Sequence, residues 1–466
     1  MKRIDLLAAA LVLAAACQKT ETVGKVIPIG AVIDRTGSVA VNIWPAELKM
    51  AFDDANAGLA AAGKDYRFTY EISDSTNNAT VATQRAIDLV QGSDVRALIV
   101  DTTKDDISIN TLAYDSDPSN DLNVPIVGYA CNGPTINNPT STDPDPATQL
   151  ALRNGQGWNF RTTMSSKPSA NIMIRIARQA GVAGGVPGDV NGDGKFKIAV
   201  YATNESFGKG FATALAQAAK AADGNAQVEQ IFFDPAVDPN SYNWDADIAR
   251  LTDTFNESTQ KTDGAPDIIF SISGVQLGAA FRAAYVQGGQ AIRVMFNSSF
   301  RSQTAIQKIG ALADGAEGVG NVNTDGPSGE IFRQELLAAG AGTPEALDAM
   351  LFDSANTTML AAVAAVAHNH LSDPTLVTGV QIRDALRTIN DPAGTIIRPG
   401  RDEFAKAVNL LYSGQAINYE GASGPVDFDA LGNIVHRLVY WNVQNQQFTD
   451  LVKYDCVGNS SCPAMQ

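Results

Sequence analysis

The chain has 466 residues, 45% of them hydrophobic, and a formal net charge of −16 at pH 7. That length is large for one core and natural for two domains. The acidic balance repels phosphate backbones and argues against nucleic-acid binding, and the apolar content with little low-complexity sequence argues for a fully globular body.

The first element reads as an export signal. Lys2 and Arg3 precede an unbroken apolar run from Leu6 to Ala16 that stops at Cys17. A bilayer-spanning helix needs roughly 20 residues, so this run is too short. It has the proportions of a secretory signal core with small residues before the cut. A cysteine directly after them resembles the bacterial lipoprotein signal, in which that thiol takes lipid and becomes the new N-terminus. Asp5 and Ala14 depart slightly from that pattern, and ordinary cleavage leaving a free cysteine is the alternative. Residues 1–16 are then the signal peptide and 17–24 a tether, which places the chain in the cell envelope on the periplasmic side. No later segment reads as long and apolar enough to span a membrane, so attachment rests on Cys17.

From residue 25 the pattern alternates strand and helix. KVIPIGAVI (25–33) reads as a buried strand, and a helix over 44–62 starts with Pro45 in its first turn. Tyr66, Phe68, Tyr70 and Ile72 share one face of a strand over 66–73. Helix 78–91, strand 97–100, helix 105–114 and strand 125–129 follow, with a Pro- and Asp-rich loop from Asn137 to Pro146. A second set comprises strand 157–162, helix 167–181, strand 197–201, helix 207–222, strand 226–233, helix 244–256, strand 267–271, helix 275–287 and strand 293–297. Region 338–370 is alanine-rich and predicted helical, and 424–440 returns to strand. This alternation argues for parallel sheets flanked by helices, in two successive α/β lobes; no short repeat points to a solenoid or propeller.

Among the cysteines after the signal, Cys456 and Cys462 lie close together near the C-terminus, where an oxidising compartment favours pairing them. Cys131 then stays unpaired and reads as a small buried apolar residue. A catalytic role would need a base, and the chain offers only His368, His370 and His436. Asp189, Asn191 and Asp193, followed by Gly194, match the first half of a calcium loop. The twelfth position is Val200 instead of the bidentate glutamate, so a solvated turn is the competing reading. His368 and His370 offer a second, weaker metal pair. No cofactor is required by any motif, structural calcium at 189–193 being the one candidate. Gly208-Lys209-Gly210 lacks the spacing of a phosphate loop.

Several segments in order resemble the periplasmic solute-binding proteins of the branched-chain amino-acid (Leu/Ile/Val-binding) type. IPIGAVIDRTGS with a helix ending in FDDANAG is similar to that family's first strand, ligand loop and helix. YEISDSTNNATVATQRAIDLV, VPIVGYACNGP, WNFRTTMSSKPSA, KIAVYATNESFGKGFATAL and YEGASGPVDFDALGN are similar to later segments, so the resemblance runs from about 25 to 445. It implies an α/β fold of two Rossmann-like lobes joined by three hinge crossovers, with a ligand cleft between them. The first lobe would be 25–163 plus 319–433, the second 164–318 plus 434–455, and 456–466 a C-terminal tail. The ligand would lie at the carboxyl ends of the strands, where open α/β sheets present their loops.

Matching the family's positions implies ligand contacts from Trp44, Thr102, Thr103, Ala130, Asn132, Phe207, Ser273 and Ser298. Each has a plainer reading. Thr102 and Thr103 suit a helix N-cap, Asn132 a turn, and Trp44 and Phe207 packing at helix starts. Where amino-acid binders of the family set an acid against the ligand ammonium, this chain has Asn297, Ser298 and Ser299, none of them charged. Glu205 and Asp101 are the candidate substitutes. The resemblance implies a monomeric, lipid-anchored solute-binding protein of an ABC importer. It would hand a small polar solute, an amino acid or related carboxylate, to a membrane permease by hinge closure. An extracytoplasmic sensor of the same fold is the alternative, and an exported hydrolase is disfavoured by the absence of a nucleophile–base pair or a GxSxG elbow.

Overall fold

The computed structural model describes residues 24–465 apart from 114–118, 120, 182–184, 254, 257–260, 263, 323 and 346. The export signal and Cys17 lie outside the described residues. The first lobe begins with β1 (Lys25–Ile33), α1 (Trp44–Ala61), β2 (Tyr66–Asp74), α2 (Ala79–Ile87), β3 (Leu98–Val100), α3 (Thr103–Ala113), β4 (Ile126–Gly128), α4 (Pro146–Arg153) and β5 (Asn159–Arg161). Its five strands form a parallel sheet in the order β2-β1-β3-β4-β5. Local chemistry sets the helix starts: Asn78 Oδ1 accepts from the Thr80 and Val81 amides, and Asp145 caps α4 ahead of Pro146.

The second lobe holds α5 (Lys167–Ala177), β6 (Lys197–Thr203), α6 (Ser206–Ala222), β7 (Gln227–Phe233), α7 (Asp245–Leu251), β8 (Phe255–Asn256), β9 (Lys261–Thr262), β10 (Ile268–Ile272), α8 (Val275–Gln287), β11 (Arg293–Phe296), α9 (Gln303–Ile309) and β12 (Glu317–Asn321). The chain then returns to the first lobe with α10 (Gly326–Ala338), α11 (Asp348–His368), α12 (Gly379–Ala385), β13 (Thr395–Ile397), α13 (Arg401–Tyr412), β14 (Ile417–Gly421) and β15 (Gly424–Pro425). It ends in the second lobe with β16 (Leu438–Gln444) and β17 (Gln447–Tyr454). The second sheet has seven strands in the order β17-β16-β12-β11-β10-β6-β7, with β16 and β17 antiparallel.

Some sequence expectations shift. The helix expected over 244–256 ends at Leu251, and Phe255–Asn256 pairs with Lys261–Thr262 in a short hairpin. The alanine-rich helix begins only at Asp348, because Gly340 and Gly342 take φ of 71° and 100° and interrupt it. Between 424 and 437 the only strand is Gly424–Pro425. β12 lies wholly in the second sheet, so the crossover follows Asn321, not residue 318. Hydrogen bonding to β16 from Glu317 through Asn321 keeps the strand there.

α11 carries the largest correction. It has 21 residues and is long and apolar enough to cross a membrane by composition. Every residue of it except His368 is buried in protein, packed with α1, α12 and α13. A helix apolar on all sides belongs in a core of this kind. It joins Ile27, Ile29, Phe52 and Leu59 on one face of the first sheet, while α2 and α3 cover the other face with Ala82, Ala86 and Ile109. In the second lobe, α5 and α6 cover one face and α7, α8 and α9 the other.

Three strands of chain join the lobes and hydrogen-bond to one another. His436 Nε2 donates to Thr162 O at 2.7 Å, Asn321 Nδ2 to Thr163 Oγ1 at 3.1 Å, and Val322 N to Arg437 O at 3.2 Å. Cys456 and Cys462 form a disulfide, and both are buried in the second core. The segment after β17 is not a free tail: Arg175 donates to the Ser461 and Cys462 carbonyls, and Met465 N bonds to Lys453 O.

Burial raises two facing carboxyls of the first lobe, Asp54 on α1 to about 6 and Glu335 on α10 to about 7; for Glu335 the Asp54 charge adds to the rise. Both folded values exceed the unfolded ones, so the stabilisation is complete below the unfolded carboxyl range and is lost as pH climbs through about 6 to 7. Thermal unfolding followed by circular dichroism should therefore show a melting temperature that falls between about pH 5 and about pH 8. Glu335→Gln should flatten that fall.

Candidate functional site

Loops that follow β1, β3 and β4 in one lobe and β6, β7, β10 and β11 in the other line a single cavity of about 90 Å³. Six of the eight sequence-predicted contacts reach it: Trp44, Thr102, Thr103, Ala130, Asn132 and Phe207. Ser273 and Ser298 do not. The Ser298–Phe300 turn packs Ser298 against Gly320, where an added Cβ would lie 2.7 Å from Ser298 Cβ, and presents Ser299 to the cavity instead. Ser273 is buried beside Gly278, and its amide donates to Asn297 Oδ1 at 3.2 Å. Its neighbours Gly274 and Val275 form the wall.

The lobes touch at this point. Gly274 abuts the first lobe so closely that a Cβ there would sit 2.8 Å from Val39 Cγ1 and 3.3 Å from Ser38 O. Only a residue without a side chain allows that approach.

Several cavity groups are already engaged. Thr102 Oγ1 accepts from Asp105 N at 3.3 Å and caps α3, while Thr103 Oγ1 accepts from Gly133 N at 3.1 Å. Glu205 caps α6: Oε1 accepts from Thr203 Oγ1 at 2.6 Å and Gly208 N at 2.9 Å, and Oε2 from Phe207 N at 2.7 Å. Asp101 lies behind the wall, fully buried, accepting from the amides of Asp34 at 2.5 Å and Thr102 at 2.6 Å. Burial, then the Asp105 carboxylate, push its carboxyl well above the usual range. Neither substitute acid presents a free carboxylate to the cavity.

The apolar wall combines Trp44, Phe207, Val39, Leu277 and Leu347. Trp44 stacks edge-on against Tyr129 at 5.0 Å, and Phe207 against Phe211 at 5.9 Å. Leu347 holds φ of 74°, a costly conformation for a leucine and one that tends to occur at ligand clamps. Lys104, Asn77 and Ser302 complete the polar lining. Ser299 sits in a segment already marked in the sequence, and Lys104 directly follows the marked Thr102–Thr103 pair. Leu347 and Ser302 had no local signal, since only the tertiary fold brings α11 to the cleft.

One contact bridges the lobes beside the cavity. The Glu345 carboxylate accepts from Ser302 Oγ and from the Gln303 and Thr304 amides at the start of α9. Glu345 N donates to Asp348 Oδ2 at 2.6 Å. Burial raises the carboxyl of Asp348 to about 7, and burial with the neighbouring Asp348 charge holds that of Glu47 well above its ordinary range.

The other candidates behave differently. Asp189 accepts from the Gly192 and Gly194 amides at 2.7 and 2.8 Å, Asn191 Oδ1 from Asp193 N at 3.0 Å, and Asp193 pairs with Lys197. The loop thus closes on its own amides, and no group of three His, Cys, Asp or Glu able to hold a metal occurs among the described residues. His368 ends α11 and His370 follows it, both exposed. Cys131 is fully buried with Sγ 3.3 Å from Asp101 O, and burial pushes its thiol well up, away from nucleophilic use.

The match to known proteins follows the same outline. Residues 26–409 match the family model of periplasmic binding proteins, and the chain belongs to that family of extracytoplasmic solute-binding proteins. Among solved structures it is similar to the leucine-binding protein LivK of Thermotoga maritima, with 15% identity, 92% of this chain and 98% of that one covered, and a TM-score of 0.62. The branched-chain amino-acid binding protein LivJ of Streptococcus pneumoniae, solved with isoleucine, gives 16%, 91%, 98% and 0.62. A solute-binding protein of a Rhodopseudomonas palustris ABC transporter, solved with benzoate, gives 13%, 94%, 97% and 0.63. At these identities the likeness is one of fold. No curated protein matches the sequence.

Phe207→Ala should weaken ligand binding by roughly 10- to 100-fold with little change in melting temperature, as measured by calorimetric titration. Trp44→Ala, which also opens the first core, should lose about 3–5 kcal/mol of stability as well. Glu345→Ala with Ser302→Ala should raise the ligand-free radius of gyration in small-angle scattering, because the bridge favours the closed arrangement.

Proposed function

We propose that this chain is the solute-capturing component of an ABC importer, held at the membrane by lipid on Cys17. It closes its two lobes on a small polar solute, an amino acid or related carboxylate, and passes it to a membrane permease without chemical turnover. The observation that carries this reading is a cavity walled by both lobes beside three hydrogen-bonded crossovers. Ligand docked on one lobe gains the other lobe's contacts only on closure, so binding and closure are linked. The fold relatives solved with isoleucine and benzoate support a small carboxylate in this class of cleft.

The size of the cavity supports a single small molecule in place of a polymer chain. The apolar run before Cys17 supports the anchor, which would let the protein meet its permease at the membrane surface.

A thermal-shift screen of the mature chain against amino acids, organic acids, sugars and polyamines should give a stabilisation by one class, and no shift with any of them would refute the reading. In cells, the wild-type protein should fractionate with membranes and Cys17→Ser should not.

A further inference from the structure

Two of the approaches across the cleft are uncharged. Gly274 meets Val39 and Ser38, and a Cβ on Gly210 of α6 would lie 3.0 Å from Pro134 Cδ. The contact made by Glu345 is different, because it carries a carboxylate from the first lobe onto the second. That carboxylate accepts from Ser302 Oγ and from the Gln303 and Thr304 amides. On its own lobe the Glu345 amide donates to Asp348 Oδ2 at 2.6 Å, and the Asp348 carboxyl interacts with that of Glu47 on α1. Three carboxyls therefore gather where the first lobe touches α9. None of them pairs with a lysine or arginine among the described residues.

Their burial is unequal. Glu47 and Asp348 are fully buried, on two helices that pack together in the first core. Glu345 is half-buried in the loop ahead of α11, and it is the member that an opening of the lobes returns to water. Closure thus presses a third carboxyl against two that water does not reach. Like charges so placed repel, and ionised carboxyls lose hydration, so the closed contact holds protons that the open one releases. Asp348, raised to about 7 by its burial, ionises near neutrality, and burial lifts the Glu345 carboxyl as well. The closed form binds the proton more tightly, so its advantage is complete at lower pH and is lost as pH rises through about 7.

Taking lobe closure from the solute-binding reading above, we infer that Glu345, Asp348 and Glu47 form a proton-dependent latch, which holds the empty protein shut on α9 in acid and lets it open in alkali. The groups around the latch do not titrate against it near neutrality. Ser302, Gln303 and Thr304 are uncharged, Lys308 at the far end of α9 bonds to Asn240 and Gln276, and Arg301 pairs with Asp450. Burial pushes the Tyr129 hydroxyl, which feels the Glu47 charge, well up. His436 in the crossovers is the other buried group able to make opening depend on pH, and the test separates the two.

Small-angle scattering of the ligand-free mature chain from about pH 5.5 to about pH 8.5 reads the latch directly. The radius of gyration should rise with pH, the open-to-closed ratio changing at most about tenfold per pH unit for one proton. Glu345→Gln keeps an acceptor for Ser302 but removes the ionisation, and should hold the smaller radius at both ends of the range. Asp348→Asn should move the opening to higher pH, with circular dichroism confirming that each variant is folded. A wild-type radius that is constant, or that falls as pH rises, would overturn the inference. So would a rise kept in full by Glu345→Gln, which would assign the response to His436 or elsewhere. In each of these cases the solute-binding reading stands, because its thermal-shift screen does not depend on the latch.

Discussion

The lobes share three crossovers, and these are tied to each other, not merely parallel. Thr162, Thr163, Asn321, Val322, His436 and Arg437 form one hydrogen-bonded knot. Every relative movement of the sheets must pass through it, because their cores are otherwise separate clusters. His436 is fully buried, and burial lowers its pKa, so the knot carries a neutral ring. Arg161 extends the knot to the ligand wall. Its guanidinium donates to Asn433 Oδ1 at 2.7 Å beside the third crossover, and to the Cys131 and Gly133 carbonyls at 3.1 and 2.9 Å. A change of hinge angle is thereby felt at the loop carrying Ala130 and Asn132.

Affinity in such a cleft has an arithmetic. A micromolar complex requires about −8 kcal/mol. A neutral hydrogen bond contributes roughly 0.5–1.5 kcal/mol, and a well-buried apolar group perhaps 1.5–3. Thr102, Thr103 and Glu205 already serve the protein's own amides, so fewer polar groups are left for the ligand than the lining suggests. The apolar wall must then supply most of the binding energy.

The fold was largely legible because α/β alternation writes itself locally: β1 is a continuous apolar run and Pro45 marks a helix start, whereas α4, which begins where the loop read over 137–146 ends, was not expected. The cleft loops were legible for the same reason, since they follow strand ends. What stayed hidden depends on tertiary packing. Whether Ser298 or Ser299 faces the ligand is decided by a single helical turn against Gly320. The membrane-like composition of α11 is resolved only by the helices around it. The calcium-like spacing at 189–193 describes a loop whose oxygens satisfy its own amides, an arrangement that spacing alone does not distinguish from a cation site.

Closure and occupancy share one stretch of chain. Leu347, held at φ 74°, faces the cavity, and two residues before it Glu345 grips the start of α9 across the cleft. One residue after it, Asp348 receives the Glu345 amide and begins the most deeply buried helix of the first lobe. A strained residue between a rigid helix and an interlobe bridge couples the two mechanically. In the proposed closure, a ligand filling the cavity would press on Leu347 two residues from Glu345, and opening of the lobes would have to release Glu345 from α9.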